Sequence, residues 1–202
     1  MEHLVVHRIV ELHAATRADA SAIACDGDAI TYRELNVRAN GIARRMLDEG
    51  FRRGGHLDVT MDHGIDLATV LLAVLKAGGS YTWRPAAGPS EAGRAVLASG
   101  FDQVEQRSRC LDLDLLLRRS VRTGPNLPVL TRPADLACVL LPDAGGQVLV
   151  PHSTITALRH DQYLESSPAH VWDGDPGSLE LWAGLMSGAP LNVVATALRD
   201  AA

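Results

Sequence analysis

Of the 19 basic residues in this chain, 18 are arginine, and Lys76 is the single lysine. Chemistry that needs two lysines is excluded within these residues. Lys76 closes the apolar stretch 67–75 just before Gly78-Gly79. A cation there is favoured by the free carbonyls of a helix end, typically by about 0.3–1 kcal/mol. The pair Gly145-Gly146 follows the apolar segment 136–141. Alone it is a weak phosphate-loop signal, and a turn leading into Val148 accounts for it. Ser153 and Thr154 precede Ile155 and Leu158, which suits capping residues at a helix start better than nucleophiles. No Gly-x-Ser-x-Gly elbow occurs. His3 and His7 are four residues apart, and His13 follows. No third ligand has suitable spacing and only Glu2 and Glu11 lie nearby as acids, so solvated or capping histidines and no metal are expected.

The balance of 24 acidic against 19 basic residues gives a net charge of −5. No positive field is available to hold a phosphate backbone, so no nucleic-acid partner is expected. Apolar residues make up 47% and aromatics only 4%, so a globular chain with an aliphatic core is expected. The longest aliphatic run is about half of a bilayer crossing, and no membrane partner follows. Cys25, Cys110 and Cys138 are odd in number and widely spaced. Together with an N-terminus unlike a secretory signal, they suggest a reduced, cytoplasmic protein.

The elements that would position these residues are legible from periodicity. Val5, Ile9, Val10 and Ala14 recur at helical spacing, and 22–25 and 29–32 flank the turn Asp26-Gly27-Asp28. That pattern is a helix and then a hairpin. Leu35, Ala39, Ile42, Ala43, Met46 and Leu47 form an amphipathic stripe ended by Gly50. A strand through Leu57, Val59 and Met61, a helix from Asp66 through Ala77 and a strand at 80–83 follow. This alternation predicts an α/β fold, a mostly parallel sheet flanked by helices. Beyond it come a loop at 85–90, a short helix at 91–99, a polar strand at 101–105 and an irregular connector at 124–133. A solid apolar strand at 136–141, a strand at 147–150, a helix from Ser153 to about Leu164, a loop through Gly177, a helix at 178–186 and a strand at 191–194 complete the series. Residues 1–202 read as one domain, with a weaker subdivision near 124–134.

Three segments carry a family resemblance: Ile30-Thr31-Tyr32-Arg33-Glu34-Leu35-Asn36, Leu72-Ala73-Val74-Leu75-Lys76-Ala77-Gly78-Gly79-Ser80-Tyr81, and Asp135-Leu136-Ala137-Cys138-Val139-Leu140-Leu141. In this order and at these separations they resemble the N-terminal half of an adenylation domain of a nonribosomal peptide synthetase, in the adenylate-forming (AMP-binding) superfamily. Pro151-His152 and residues 179–189 continue the likeness more weakly. The implied fold is that of the N-terminal subdomain of adenylate-forming enzymes. The implied activity is ATP-dependent activation of an amino acid.

The departures bear on that activity. After the third segment, the family has a loop rich in Ser, Thr and Gly, ending in Pro-Lys-Gly, that holds the ATP phosphates. This chain reads Pro142-Asp143-Ala144-Gly145-Gly146-Gln147, with no hydroxyl, no lysine and an added negative charge. Thr82-Trp83-Arg84-Pro85 likewise replaces an apolar segment ending in Asp-Pro, which suggests drift of the fold's interior or a new surface. The sequence ends before counterparts of the family's later motifs. Asp175 aligns with the Asp that binds the substrate's amino group in amino-acid-activating members, although a turn role suits it equally. The expectation is a truncated, catalytically inactive adenylation-like domain without cofactor, acting as a structural or docking element in nonribosomal peptide biosynthesis. Synthetase components or carrier proteins are its expected partners, with a homodimer as the alternative. Trp172, Leu181, Trp182 and Leu185, with Val171 and residues 191–194, are the expected interface. The competing readings are one half of a split adenylating enzyme completed by another chain, and an amino-acid-binding module without activation.

Overall fold

Thr31 and Glu34 start the longest helix reciprocally: Glu34 N–H donates to Thr31 Oγ1 at 3.2 Å, and Thr31 N–H donates to the Glu34 carboxylate at 3.0 Å. This helix, α2 (Tyr32–Asp48), buries Leu35, Ala39, Ile42, Ala43 and Met46, the face that the periodicity marks. The computed structural model describes residues 4–86, 94–99, 110–112, 116–117, 124–142, 145–158 and 169–194. Ahead of α2 lie α1 (Val6–Thr16) and the hairpin β1 (Ser21–Cys25) and β2 (Asp28–Thr31). After it come β3 (His56–Thr60), α3 (Ile65–Lys76) and β4 (Ser80–Arg84). Then follow β5 (Arg94–Ser99), β6 (Cys110–Asp112), β7 (Leu136–Leu140), β8 (Val148–Pro151) and α4 (His152–Ala157). The described chain closes with β9 (His170–Trp172), α5 (Glu180–Ser187) and β10 (Leu191–Val193).

The strands form two sheets, one ordered β2-β1-β10-β9 and the other β6-β5-β3-β4-β7-β8. Both are mixed. Parallel pairs join β1 to β10, β10 to β9, β3 to β4 and β4 to β7, while β1–β2, β3–β5, β5–β6 and β7–β8 are antiparallel. The α/β class with flanking helices stands, and the even mixture qualifies the mostly parallel expectation. Of residues 91–99, expected as a helix, 91–93 lie outside the described residues and 94–99 form β5 instead. Its six residues are too few to separate a helical from a strand period, and pairing with β3 satisfies backbone groups along that strand's second edge. The expected loop before Gly177 contains β9, whose three residues are too short to show alternation. The strand expected at 101–105 lies outside the described residues.

Both sheets share one buried apolar cluster with α1, α2, α3 and α5. The C-terminal end of α5 is held from the other end of the sequence. His13 Nε2, as the donor, lies 2.9 Å from Met186 O, Tyr32 O–H donates to Leu185 O at 3.0 Å, and Arg17 donates to Gly188 O at 3.3 Å. These donors meet carbonyls that have no partner within the helix. Among the described residues no helix is long and apolar enough to cross a membrane.

Gly79 fits where no larger residue would. A Cβ there would lie 2.3 Å from Phe51 Cζ and 2.9 Å from Gly55 O, and the Phe51 ring is fully buried. Gly79→Ala is therefore expected to destabilise the protein by roughly 1–3 kcal/mol through overpacking, read as a lower urea midpoint at unchanged slope. An unchanged midpoint would show that the ring can step aside.

Candidate functional site

Asp175 stands just beyond the C-terminal end of β9, where ligand sites in open α/β sheets form. Its carboxylate is already engaged. Oδ1 accepts from Gly177 N–H at 2.7 Å, and the Asp175 carbonyl accepts from Ser178 N–H and Oγ–H, both at 3.2 Å. Asp175 N–H in turn donates to Asp173 Oδ1 at 3.1 Å. This is an Asx-type turn leading toward α5. Asp175, with Pro176 and Ser178, lines one side of a cavity of about 20 Å³ whose other walls are Tyr81, Trp83, Trp172, Trp182 and neighbouring aliphatic side chains. That space holds about one water molecule, not an amino acid.

Aromatic packing explains why the cavity is so small. Trp83 donates through Nε1–H to Met61 O at 2.8 Å and meets Trp172 edge to face, with ring centroids 5.4 Å apart. Trp182 Nε1–H donates to the Tyr81 hydroxyl oxygen, Oη, at 2.6 Å. Trp172, Leu181, Trp182 and Leu185 are thus core residues, exposed by 3% or less, and the interface expected on them is corrected. Of that set Val171 is exposed, because it alternates with the inward-facing Trp172 on β9. Leu191 and Val193 are also buried. In place of an open cut surface, α5 and β10 close over the core.

The connection from β7 to β8 is where the resemblance leads one to expect a phosphate loop. Gly145 and Gly146 are exposed with φ of 85° and 89°, and an added Cβ at either would meet nothing within 4 Å. They serve a turn, closed by Gly145 N–H donating to Pro142 O at 2.9 Å, and no backbone approaches them closely. Asp143 and Ala144 lie outside the described residues. Arg84 is exposed at the end of β4, in keeping with the new surface expected there.

Lys76 lies in the last turn of α3, where the sequence places it, and its side chain is buried. Its Nζ lies 2.5 Å from Glu11 Oε1, and the two side chains are 0% and 2% exposed. Burial lowers the lysine pKa, and the Glu11 carboxylate opposes that shift. The histidines of α1 also find protein partners. His7 packs on His152, while His13 turns to the end of α5. His3 lies outside the described residues, among which no group of three metal-ligating side chains gathers. The helix α4 starts at His152, one residue before Ser153, and neither Ser153 nor Thr154 caps it.

A polar cluster that sequence reasoning missed lies on the outer face of the six-stranded sheet. His56 Nδ1 is 2.9 Å from Ser80 Oγ, and its Nε2 is 2.8 Å from Thr82 Oγ1 and 3.6 Å from Asp58 Oδ1. These residues line an open groove of about 800 Å³ with the ion pair Arg53–Asp135 at 3.3 Å. Only the register His56↔Ser80 brings them together. Burial lowers the His56 pKa against the opposing pull of Asp58. Both ring nitrogens are hydrogen-bonded within the protein, so the cluster ties β3 to β4 across their outer face.

Residues 10–100 match the family described as AMP-binding enzyme. The chain is 28% identical over 220 residues to malpibaldin synthetase of Mortierella alpina, and 27% identical over 216 residues to surfactin synthase subunit 2 of Bacillus subtilis. These alignments take in 95% and 94% of the chain but only 4% and 6% of those proteins. In three dimensions it superposes on the N-terminal subdomain of NpsA from Klebsiella oxytoca with a TM-score of 0.76 at 22% identity, covering 94% of this chain and 53% of that one. The artificially fused adenylation-PCP di-domain NpsA-ThdA gives a TM-score of 0.75 at 18% identity, over 94% and 39%. This chain is related to the adenylation domains of nonribosomal peptide synthetases. It spans a few per cent of the curated relatives and about half of the solved subdomain. Within this adenylation-type fold, Asp175, the Gly145-Gly146 turn and Lys76 are the positions to weigh for function.

Proposed function

We propose that this chain is a non-catalytic adenylation-like unit that serves nonribosomal peptide assembly through protein contacts, with synthetase or carrier-protein components as partners. The observation that carries the reading is the connection between β7 and β8. Residues 141–147 include no hydroxyl and no cation, and their glycine pair forms an exposed turn. The one lysine is neutralised inside the core by Glu11. Holding a triphosphate requires directed donors and positive charge, and neither is supplied here. The backbone-bound Asp175 and the one-water cavity beside it also weigh against an amino-acid-binding module.

Isothermal titration with magnesium-ATP is expected to show no binding, and pyrophosphate exchange is expected to stay at background with every amino acid. Micromolar affinity for ATP would sink the reading. The competing reading is the split enzyme, in which another chain supplies the rest of an adenylation domain. Exchange activity that appears only on mixing with a chain supplying the rest of an adenylation domain would establish that alternative.

A further inference from the structure

The first turn of α1 has no side-chain cap. Its Val6 N–H donates instead to His152 Nδ1, at 3.3 Å, across 146 residues of sequence. To accept there, His152 must be neutral with its proton on Nε2. Among the described residues that Nε2 has no hydrogen-bond partner, and neither does Nδ1 of His7, although both side chains are buried. The two rings stand edge to face, with centroids 5.8 Å apart. Arg8 and Glu11 accompany His7 on α1, Lys76 faces them from α3, Arg44 from α2, and Asp135 approaches His152 ahead of β7. Glu11 is shared by Lys76 at 2.5 Å and Arg8 at 2.9 Å, so it has no spare charge for an imidazolium. A proton on His152 Nδ1 would turn the acceptor into a donor aimed at another donor. It would also add positive charge beside His7.

We propose that α1 is an acid-released element: protonation of His152 at Nδ1 breaks its bond to the Val6 amide and undocks α1 from α3 and α4.

The direction follows from linkage. Burial holds docked His152 down to about 4 and docked His7 down to about 3, whereas an undocked histidine titrates near 6.5. The docked form therefore binds fewer protons. Docking is fully present above about pH 6.5 and weakens as the pH falls, approaching tenfold per unit for each histidine. For His152 alone the loss reaches about 150-fold at pH 4 and levels off near about 300-fold well below it.

The test is amide hydrogen exchange on the full chain from about pH 7 to about pH 4.5, with intrinsic exchange rates divided out and circular dichroism recorded in parallel. Residues 6–10 are expected to lose protection ahead of β3 and β4. His152→Asn leaves a non-titrating oxygen as acceptor, and it is expected to flatten the pH dependence at residues 6–10. Loss of protection in step with β3 and β4 at every pH would overturn the proposal, as would an unchanged pH dependence in His152→Asn. If that variant does not fold, the comparison of residues 6–10 with β3 and β4 in the parent protein still decides.

Discussion

Replacing Lys76 with alanine is expected to lower stability by about 3–5 kcal/mol, because the Glu11 carboxylate stays buried without its main partner. Arg8 contacts the same carboxylate and is half exposed, which places the effect toward the lower end of that range. Lys76→Met combined with Glu11→Leu is expected to regain most of the loss, since removing both charges leaves nothing uncompensated. Urea unfolding of the single and double variants gives the coupling directly. A single variant within about 0.5 kcal/mol of the parent would show that the pair contributes little. Pyrophosphate exchange would stay at background in all of these proteins, since Lys76 is assigned no catalytic role.

Lys76 shows where sequence reasoning stopped. Helix position and the following Gly78-Gly79 were legible because they are local. The partner was not, because Glu11 lies 65 residues away and no spacing rule connects the two. The same division runs through the fold. The helices α2 and α3 and the strand β3 were legible because apolar residues repeat at 3.6 or 2 along them, and that period matches the faces they bury. The strands β5 and β9 were not, since six and three residues carry too little periodicity, and pairing with a neighbouring strand decides their state.

The candidate site divides in the same way. That residues 141–147 carry no hydroxyl and no cation can be read from residue types alone, and the turn at Gly145-Gly146 is legible from its glycines. Asp175 was locatable only through the resemblance. That its carboxylate closes a turn depends on geometry that no motif encodes. Likewise, tryptophans in the last third of the sequence suggested an interface because such residues are favoured at binding hot spots. The donors that fasten α5, which carries Trp182, come from His13, Arg17 and Tyr32, far back in the chain, and Trp172 faces inward from β9.

Trp182→Asp is expected to abolish the folded state. Trp182 is 1% exposed, packs near Tyr81 with ring centroids 6.4 Å apart, and donates its indole N–H to the Tyr81 oxygen. Truncating a buried tryptophan to alanine typically costs about 3–5 kcal/mol, and an aspartate adds the desolvation of a charge with no partner. Total stability of a domain is only about 5–15 kcal/mol, so little or none would remain. Trp182→Phe keeps most of the apolar area and gives up only the indole hydrogen bond, for about 1–3 kcal/mol. Near-ultraviolet circular dichroism and urea unfolding distinguish the two variants. The phenylalanine protein should unfold cooperatively at a lower midpoint, and the aspartate protein should show no transition. An aspartate variant as stable as the parent would place Trp182 at a surface and restore the interface first read from the sequence. Collapse of the aspartate variant beside a folded phenylalanine variant would fix it in the core, and would direct the search for partner contacts to exposed residues such as Val171 and Leu149.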